Sequence, residues 1–397
     1  MARVGKHYGE DVVLREIALP GNGEPAPQVR ERIVSLDAFR GATIAAMIVV
    51  NNPGRWALVY SPLRETEWHG WTFADCIFPA FLFIMGIAIV FSFENRSESG
   101  RLDKKTVLRI MRRTGILFLL GLLLNGFPYY HLYDLRIPGV LQRIAVCYLA
   151  VSLITLKTRI NSQVCVLAGL LISYWMLLEL IPVPGVGAGL LEPGRNLASY
   201  VDGLLLPGHL WYNIRPYDPE GILSTIPAIG TTLFGVLTGH WLRSSRGIEE
   251  KTTGMLIAGL MLLILGQILN LWIPINKGIW TSSYAVSVAG ISLVCLSIFC
   301  WLIDVKGYKK AATPFVIFGM NAIAAYVLSE LISKTIRVLE VTQADGRRTT
   351  LRRFIFDTVF TPVAGGKLAS LMFAVCFTFV IFLVMWVMWK KRWLLKV

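Results

Sequence analysis

Long apolar segments separated by short polar connections dominate the chain from about residue 33 onward. A helix needs about 20 mostly apolar residues to cross a bilayer, and ten segments approach that length, although the first and third are short or interrupted. These segments lie at 36–52, 73–94, 112–127, 137–156, 163–182, 220–242, 253–274, 280–303, 312–333 and 367–389. The pattern predicts an all-α integral membrane protein with about ten transmembrane helices in one bundle.

The distribution of lysine and arginine among the connections predicts the orientation of these helices. Short cytoplasmic loops of membrane proteins carry an excess of basic residues, and here the basic residues concentrate in alternate connections. They lie in 96–113, 157–159, 243–251, 306–310 and 390–396. The longer connection 334–353 is also basic and counts mildly against this orientation, but the first helices usually dominate the decision. We therefore expect both the N-terminus and the C-terminus to be cytoplasmic.

The composition agrees with a membrane protein. Of the 397 residues, 55% are hydrophobic and only 16% are charged, whereas a soluble domain carries about a quarter charged residues. The net charge of +14 would favour nucleic-acid binding in a soluble protein. Here it reflects loop residues, so we expect a lipid bilayer and no nucleic acid as partner. Residues 1–31 are polar and are expected to form a flexible cytoplasmic tail before a membrane domain at 32–397.

Several classes of site are not indicated by the sequence. The six cysteines lie within or at the ends of apolar segments, and none forms a CxxC pair or sits near a histidine at ligand spacing. We interpret them as small core residues and expect neither a disulfide framework nor a metal site. We find no P-loop, GxSxG or HExxH motif, so nothing points to nucleotide hydrolysis or a zinc enzyme. We also expect no cleavable signal peptide.

Polar groups near both ends of the first predicted helix are candidate site residues. In LDAFRG, Asp37 and Arg40 can pair on one helix face. They form either an interfacial anchor or a positive group that faces an anionic cofactor from the cytoplasm. In VVNNPG, Asn51 lies near the outer surface of the membrane. The Asn-Pro-Gly run can serve as a helix stop, but an asparagine amide can equally bind a sugar or a thioester carbonyl.

The polar, aromatic segment RETEWHGWTFAD leads directly into the second predicted helix. Glu65 and His69 are titratable groups beside Trp68, and partly dry surroundings would tune them for acid–base catalysis. Tryptophan faces also stack on sugar rings. Asp75 falls in the first helical turn, where the helix dipole favours an anion. The alternative interpretation is an aromatic belt with solvated acids and an N-terminal helix cap.

Arg143, in the motif RIPGVLQR, lies inside an otherwise apolar helix. An arginine at that depth almost always faces a cavity or an acidic partner. Its candidate partners are Asp75, Glu220 and Glu330. Glu220 belongs to YDPEG, in which Asp218 can cap the following helix; capping explains Glu220 less well.

Two further motifs carry polar side chains at membrane depth or at helix ends. The segment INKGIWTSSYAV clusters Asn276, Lys277 and Trp280 at the start of the eighth predicted helix. The segment FGMNAIAAYVLSELI places Asn321 within the ninth. Buried polar groups in such helices usually contact partners or line a pathway.

Taken together and in this order, these segments resemble the heparan-α-glucosaminide N-acetyltransferase family and its bacterial relatives. The resemblance runs from about residue 33 to the C-terminus and is most specific in WHGWTFAD…FP…FIMG, RIPGVLQR and YDPEG. It implies a multi-pass acyltransferase that takes acetyl from cytoplasmic acetyl-CoA and delivers it across the bilayer to the amine of a terminal glucosamine. The bacterial relatives imply an inner-membrane location.

The resemblance also implies roles for individual residues. Six positions match the family motifs: Asn51, Arg143, Glu220, the pair Asn276 and Lys277, and Asn321. In the implied reaction, Arg143 and Lys277 would hold CoA phosphates or polarise the thioester. Asn51 would stabilise the oxyanion.

One position departs from the family pattern. The family usually places a histidine, regarded as catalytic, four residues before an Asn/His-Gly pair, and here that residue is Glu65. An acetyl-histidine intermediate is impossible at a glutamate, so Glu65 or His69 would deprotonate the amine in a direct transfer. Two alternatives stay open: an inner-membrane transporter for N-acetylglucosamine-type sugars without acyl-transfer chemistry, and a scaffold without substrate. Whether a second copy forms a homodimer is also open.

Overall fold

The computed structural model describes residues 33–93, 103–211, 217–343 and 346–395. Within these ranges the regular secondary structure is almost entirely α-helical. Its one β-hairpin pairs β1 (Glu340–Thr342) antiparallel with β2 (Arg348–Thr350). The expected tail at 1–31 lies outside the described residues. The helices are α1 Val34–Asn51, α2 Phe73–Phe93, α3 Lys104–Gly126, α4 Val140–Lys157, α5 Ile160–Leu180, α6 Leu197–Leu205, α7 Thr225–Leu242, α8 Ile248–Leu269, α9 Ser282–Cys300, α10 Lys309–Met320, α11 Ala322–Val338, α12 Leu351–Ile355 and α13 Gly366–Lys390.

The described helices make the chain a multi-pass membrane protein. Seven of them are long and apolar enough to cross a membrane, or eight if the bent pair α10–α11 is one span. Each of the ten predicted segments is largely helical, but α3 and α7 fall short as spans. The first turns of α3 are strongly basic, and α7 contains threonines, glycines and His240. The count of about ten and the cytoplasmic termini therefore stay predictions.

The prediction of one continuous helix over 312–333 is wrong. The axes of α10 and α11 differ in direction by 71°, and Asn321 between them has a non-helical backbone (φ −123°, ψ 39°). Its side-chain amide donates to the carbonyl of Trp393 at 3.1 Å and accepts from the backbone N–H of Leu395 at 3.0 Å. The break in the helix thus holds the segment that follows α13.

Close helix packing places α2 at the centre of the bundle. In the most apolar stretch of α2, 78% of the residues are buried, against 22% in the corresponding stretches of the peripheral helices α5 and α8. Gly86 of α2 and Gly235 of α7 face each other's backbones. A Cβ on Gly86 would lie 2.0 Å from the carbonyl oxygen of Thr232, and one on Gly235 would lie 1.9 Å from that of Phe83. Small residues at a helix interface permit this approach.

The two ends of the bundle are chemically different. We call the end at which α1 finishes, and at which α2, α4, α7 and α9 begin, the site end. The Tyr284 hydroxyl of α9 donates to the Asp75 carbonyl of α2 there at 2.6 Å. At the opposite end, the Ser35 hydroxyl near the start of α1 lies 3.1 Å from the Cys300 thiol of α9.

Candidate functional site

At the site end, the loop that precedes α2 is joined to the loop that precedes α9. The Gly70 N–H donates to the Ile275 carbonyl at 2.8 Å, and His69 forms an isolated antiparallel bridge with Asn276. These contacts align two loops that are far apart in the sequence. As a result, the candidate residues of RETEWHG and INKG lie side by side.

An ion cluster lies where the two loops meet. The Lys277 ammonium donates to the Glu65 carboxylate at 2.7 Å and lies 3.2 Å from Oδ1 of Asp75. Burial alone would lower the pKa of Lys277, but the two carboxylates raise it above its ordinary value. Glu65 has a side chain that is 42% exposed, whereas that of Asp75 is 1% exposed. One buried and one exposed carboxylate therefore hold the same ammonium.

Asp75 is fixed by the N-terminus of α2. Its Oδ2 atom accepts from the backbone N–H and hydroxyl of Thr66 at 3.0 and 2.8 Å, and from those of Thr72 at 2.9 and 3.0 Å. Thr72 precedes the first helical residue, so the contact with its N–H is the return bond of a capping box. The predicted helix cap is therefore confirmed, and the same carboxylate also takes part in the ion cluster.

His69 lies beside this cluster, and its surroundings favour the neutral form of the imidazole. Partial burial lowers the pKa of His69 below its ordinary value. Its Nδ1 atom lies 3.4 Å from the Asn276 amide nitrogen, and Asn276 is fully buried. The Asn276 N–H donates to the Thr281 hydroxyl at 3.0 Å. Asn276 thus joins His69 to the turn that begins α9.

Trp68 packs edge-on against His69, with ring centroids 6.0 Å apart. Its indole N–H donates to the Leu191 carbonyl at 2.7 Å, and its ring meets Tyr217 edge-on with centroids 4.7 Å apart. Gly278 packs closely against both rings, since a Cβ at this position would lie 2.8 Å from an atom of each ring. Trp68 is therefore held in a defined orientation and stays half-buried.

Arg143 and Trp280 form a buried pair below the loops. The guanidinium carbon lies 4.9 Å from the indole centroid, in the range of a cation–π contact. Arg143 is 2% exposed. It donates through Nη2 to the Gly221 carbonyl at 3.0 Å and to the Ser224 hydroxyl. Within the described residues, its Nε and Nη1 atoms have no hydrogen-bond partner.

The expected acidic partners of Arg143 are engaged elsewhere. Asp75 binds Lys277, and Glu220 binds Arg136 at 2.5 Å. Glu330 forms no ion pair with Arg143 among the described residues. Among the described residues, none of the three candidate carboxylates forms an ion pair with Arg143. A polar carbonyl and a hydroxyl substitute for the anion.

The ion pair of Arg136 is a feature that the sequence analysis missed. Arg136 donates to both carboxylate oxygens of Asp218 at 2.9 and 2.7 Å and stacks over Trp211 at 4.6 Å. The next helix begins at Thr225, so the expectation that Asp218 caps it is wrong. The available signal was the first arginine of RIPGVLQR, whose charge complements the acids of YDPEG.

Asn51 lies at the site end, in a turn that other elements hold in place. Asn52 donates to the Ile48 carbonyl at 2.9 Å, and Arg352 of α12 donates to the Pro53 carbonyl. The Gly54 N–H donates to the Ser370 carbonyl at 3.2 Å. Asn51 itself is half-buried, and its amide has no hydrogen-bond partner among the described residues. It is thus available to a ligand.

Two candidate residues do not join this site. Arg40 lies in the second turn of α1, near the opposite end, and pairs with Asp37 at 3.2 Å as predicted. Asn321 is likewise at that end, bound to the segment after α13. Among the described residues, no group of three or more His, Cys, Asp or Glu side chains is placed to hold a metal ion.

Comparison with known proteins relates the chain to membrane acetyltransferases. The family model for heparan-alpha-glucosaminide N-acetyltransferase, catalytic, matches residues 32–273. The human heparan-alpha-glucosaminide N-acetyltransferase is 30% identical over 372 residues, which cover 79% of this chain and 55% of the relative. The mouse protein of the same name is 30% identical over 381 residues, with 80% and 57% covered. The chain thus spans about half the length of these curated relatives.

Proposed function

This chain belongs to the heparan-α-glucosaminide N-acetyltransferase family, and from that premise we propose that it transfers an acetyl group from acetyl-CoA to the amine of an amino sugar. The observation that carries the proposal is the junction of two loops at the site end. There Glu65, Lys277 and Asp75 form an ion cluster beside His69. Groups that can exchange protons and stabilise charge lie together there, as acyl transfer requires.

The proposed reaction is a direct transfer. The amine attacks the thioester carbonyl, a C–N bond forms, and the carbonyl oxygen becomes an oxyanion. Collapse of that intermediate breaks the C–S bond, and the amine proton is passed through a base to the leaving thiolate. Glu65 or His69 is the base, and Asn51 donates to the oxyanion, a contribution of about 3–4 kcal/mol in other enzymes.

Arg143 and Trp280 are proposed to meet the donor. Two nitrogen atoms of the Arg143 guanidinium lack partners in the described residues, and a buried cation in this state suits an anionic or strongly polar group. Lys277 lies beside the acceptor side of the site and orients Glu65. Trp68 offers its half-buried ring to the sugar. Glu220 holds Arg136 and so supports the loop beneath Trp68.

Transfer across the bilayer would use both ends of the bundle. We propose that the site end faces outward and that the opposite end, with Arg40, faces the cytoplasm. Arg40 and Asn51 are separated by about 16 Å along α1, at 1.5 Å per residue. An extended pantetheine arm has a comparable reach. Acetyl-CoA bound with its nucleotide near Arg40 would therefore place its thioester near Asn51.

The cellular setting is part of the same proposal. Residues 32–397 would form the membrane domain, and 1–31 a cytoplasmic tail. The location would be a bacterial inner membrane, with lipid around α5, α8 and α13. A homodimer is compatible with this arrangement.

The decisive experiment is acetyl-CoA binding to the purified protein, followed by mass spectrometry of candidate glucosamines. We expect thioester binding and an acetylated sugar product. If Glu65 is the base, Glu65→Gln should keep binding and lose product formation. The competing function, amino-sugar transport, is favoured by the glutamate at the family's histidine position. Wild-type protein that binds no CoA thioester, yet moves labelled N-acetylglucosamine into proteoliposomes, would replace our proposal with that one.

A further inference from the structure

We propose that His69 serves this reaction as a hydrogen-bond donor through Nε2, and that Glu65 is therefore the base that accepts the amine proton. The inference rests on the proposed acyl transfer and decides between the two bases that it leaves open. It follows from the hydrogen bonds around a single buried amide, that of Asn276.

The orientation of the Asn276 amide is fixed by the backbone. Its Oδ1 atom accepts from the Ile279 N–H at 3.1 Å. A backbone N–H can only donate, so the atom that faces it is the amide oxygen. Asn276 is 0% exposed, and its backbone is held by Thr281 on both sides, through N–H to hydroxyl and through carbonyl to N–H, at 3.0 Å each. Rotation of the amide by 180° would place two donors against each other.

The amide orientation then determines the histidine tautomer. With Oδ1 on Ile279, the NH₂ group of Asn276 points at Nδ1 of His69, 3.4 Å away. An amide nitrogen only donates, so Nδ1 must accept and cannot carry the proton. A neutral imidazole has one N–H, and here that proton is on Nε2. The charged form would set an Nδ1–H against the same NH₂, which agrees with the lowered pKa of His69.

Nε2 is the ring nitrogen that remains for a ligand. His69 is exposed, and its backbone is fixed by the bridge to Asn276 and by the adjacent Gly70–Ile275 hydrogen bond of 2.8 Å. Nε2 forms no hydrogen bond with another described residue. A proton-bearing nitrogen on a fixed ring suits an oxyanion, because such a donor needs no reorganisation during the reaction. It cannot accept the amine proton.

Glu65 remains as the acceptor for that proton. A carboxylate can accept a proton, and Oε1 of Glu65 already accepts a hydrogen bond from the Lys277 ammonium at 2.7 Å. When Glu65 is protonated, the Lys277 ammonium keeps the buried carboxylate of Asp75, 3.2 Å away. The ion cluster therefore tolerates the gain and loss of one proton at Glu65. The proton then leaves with the thiolate as the C–S bond breaks.

Nitrogen-15 NMR of histidine-labelled full-length protein in detergent tests the tautomer without any activity. The signal of His69 is assigned by its loss in His69→Gln. We expect a neutral ring protonated at Nε2 at neutral pH. In Asn276→Asp the carboxylate can only accept, so the proton should move to Nδ1. A wild-type ring protonated at Nδ1, or at both nitrogens, overturns the inference.

The turnover of His69 variants distinguishes a hydrogen-bond donor from a general base at this position. Glutamine can donate from a similar position but cannot accept a proton as a base. We expect His69→Ala to lower turnover on the order of 10²-fold to 10³-fold, and His69→Gln to recover at least about tenfold of that loss. The exposed His131 provides a matched control, His131→Gln, which should match wild type.

Two outcomes of the activity test have different meanings. If His69→Gln is as inactive as His69→Ala while wild type forms product, His69 is a base and the inference fails. If wild type forms no product, the proposed acyl transfer fails instead, and the NMR spectrum still reports the tautomer.

Discussion

At the scale of single residues, the ion cluster assigns different roles to two carboxylates that share one lysine. Asp75 is buried, lies in the first turn of α2 and accepts four hydrogen bonds. Glu65 is exposed and binds the same Lys277 ammonium. Their environments predict that Asp75 and Lys277 stabilise the fold, whereas the exposed carboxylate of Glu65 takes part in the chemistry.

Replacing Lys277 tests this division. Lys277→Met leaves the Asp75 carboxylate buried without its counter-charge, and loss of one partner of a buried ion pair costs about 3–5 kcal/mol. Glu65→Gln removes only an exposed partner, worth about 1 kcal/mol or less. Thermal unfolding in detergent should therefore show a much lower melting temperature for Lys277→Met than for Glu65→Gln. Equal melting temperatures would contradict the assignment.

Asp202 of α6 predicts a pH dependence of stability. Burial raises the pKa of Asp202 to about 6, above the ordinary value of about 3.9. Its Oδ1 atom accepts from the Ile222 N–H at 2.7 Å, in the turn that Arg143 also contacts. The folded state thus binds the proton more tightly than the unfolded state, so this stabilisation is complete at low pH and is lost as the pH rises through about 6.

The measurement is the melting temperature of wild type and Asp202→Asn across that pH range. The wild-type value, relative to the variant, should fall as the pH rises from about 4 to about 7, because only the carboxyl group titrates. A constant difference between the two proteins would show that Asp202 does not titrate in this range.

At the scale of elements, helix contacts depend on where glycines lie. Gly86 and Gly235 let α2 and α7 approach until a Cβ would overlap a backbone carbonyl. A backbone atom cannot rotate away as a side chain can, so the helices themselves would have to separate. The central position of α2, and with it the placement of Asp75, depends on this contact.

Gly235→Ala should therefore destabilise the protein. Overpacking of a well-packed core costs about 1–3 kcal/mol. The new Cβ would lie 1.9 Å from the Phe83 carbonyl oxygen, so we expect a cost at the upper end of that range. Gly169→Ala in α5 is the matched control, since a Cβ there meets nothing within 4 Å. That variant should be neutral or gain up to about 1 kcal/mol from better helix propensity. Apparent melting temperatures would separate the two, and similar values would refute the packing argument.

At the scale of the whole molecule, the arrangement of the bundle makes the orientation testable. Exposed Arg64 at the site end and exposed Lys104 at the start of α3 are at opposite ends. Charge asymmetry predicts that the site end faces outward. If so, a cysteine at Arg64 and one at Lys104 should be labelled from different sides.

Impermeant thiol labelling of cells checks this orientation. The exposed native cysteines, Cys165 and Cys376, are first replaced by serine. Arg64→Cys should react from outside, and Lys104→Cys only after the membrane is opened. Labelling of Lys104→Cys in intact cells would reverse the orientation and move the proposed acceptor site to the cytoplasm.

The sequence by itself determined the helical membrane class and most helix positions, and it supplied the candidate residues of the site. Segment length and apolarity suffice for this, because a bilayer excludes unpaired backbone groups from its interior. Glu65, His69 and Lys277 were identified as candidates from the polar motifs RETEWHG and INKG. The helix break at Asn321 escaped prediction, because the hydrogen bond that its side chain makes there is to a residue 72 positions away in the sequence.

Only the tertiary structure decided which candidates meet. Glu65 and Lys277 are 212 residues apart in the chain, and His69 and Asn276 are 207 apart. Hydropathy places each residue at a helix end but carries no information about which ends are neighbours. That choice is made when α2, α7 and α9 pack. Packing also paired Arg136 with Asp218 and Glu220, and left Arg143 with a carbonyl and a hydroxyl.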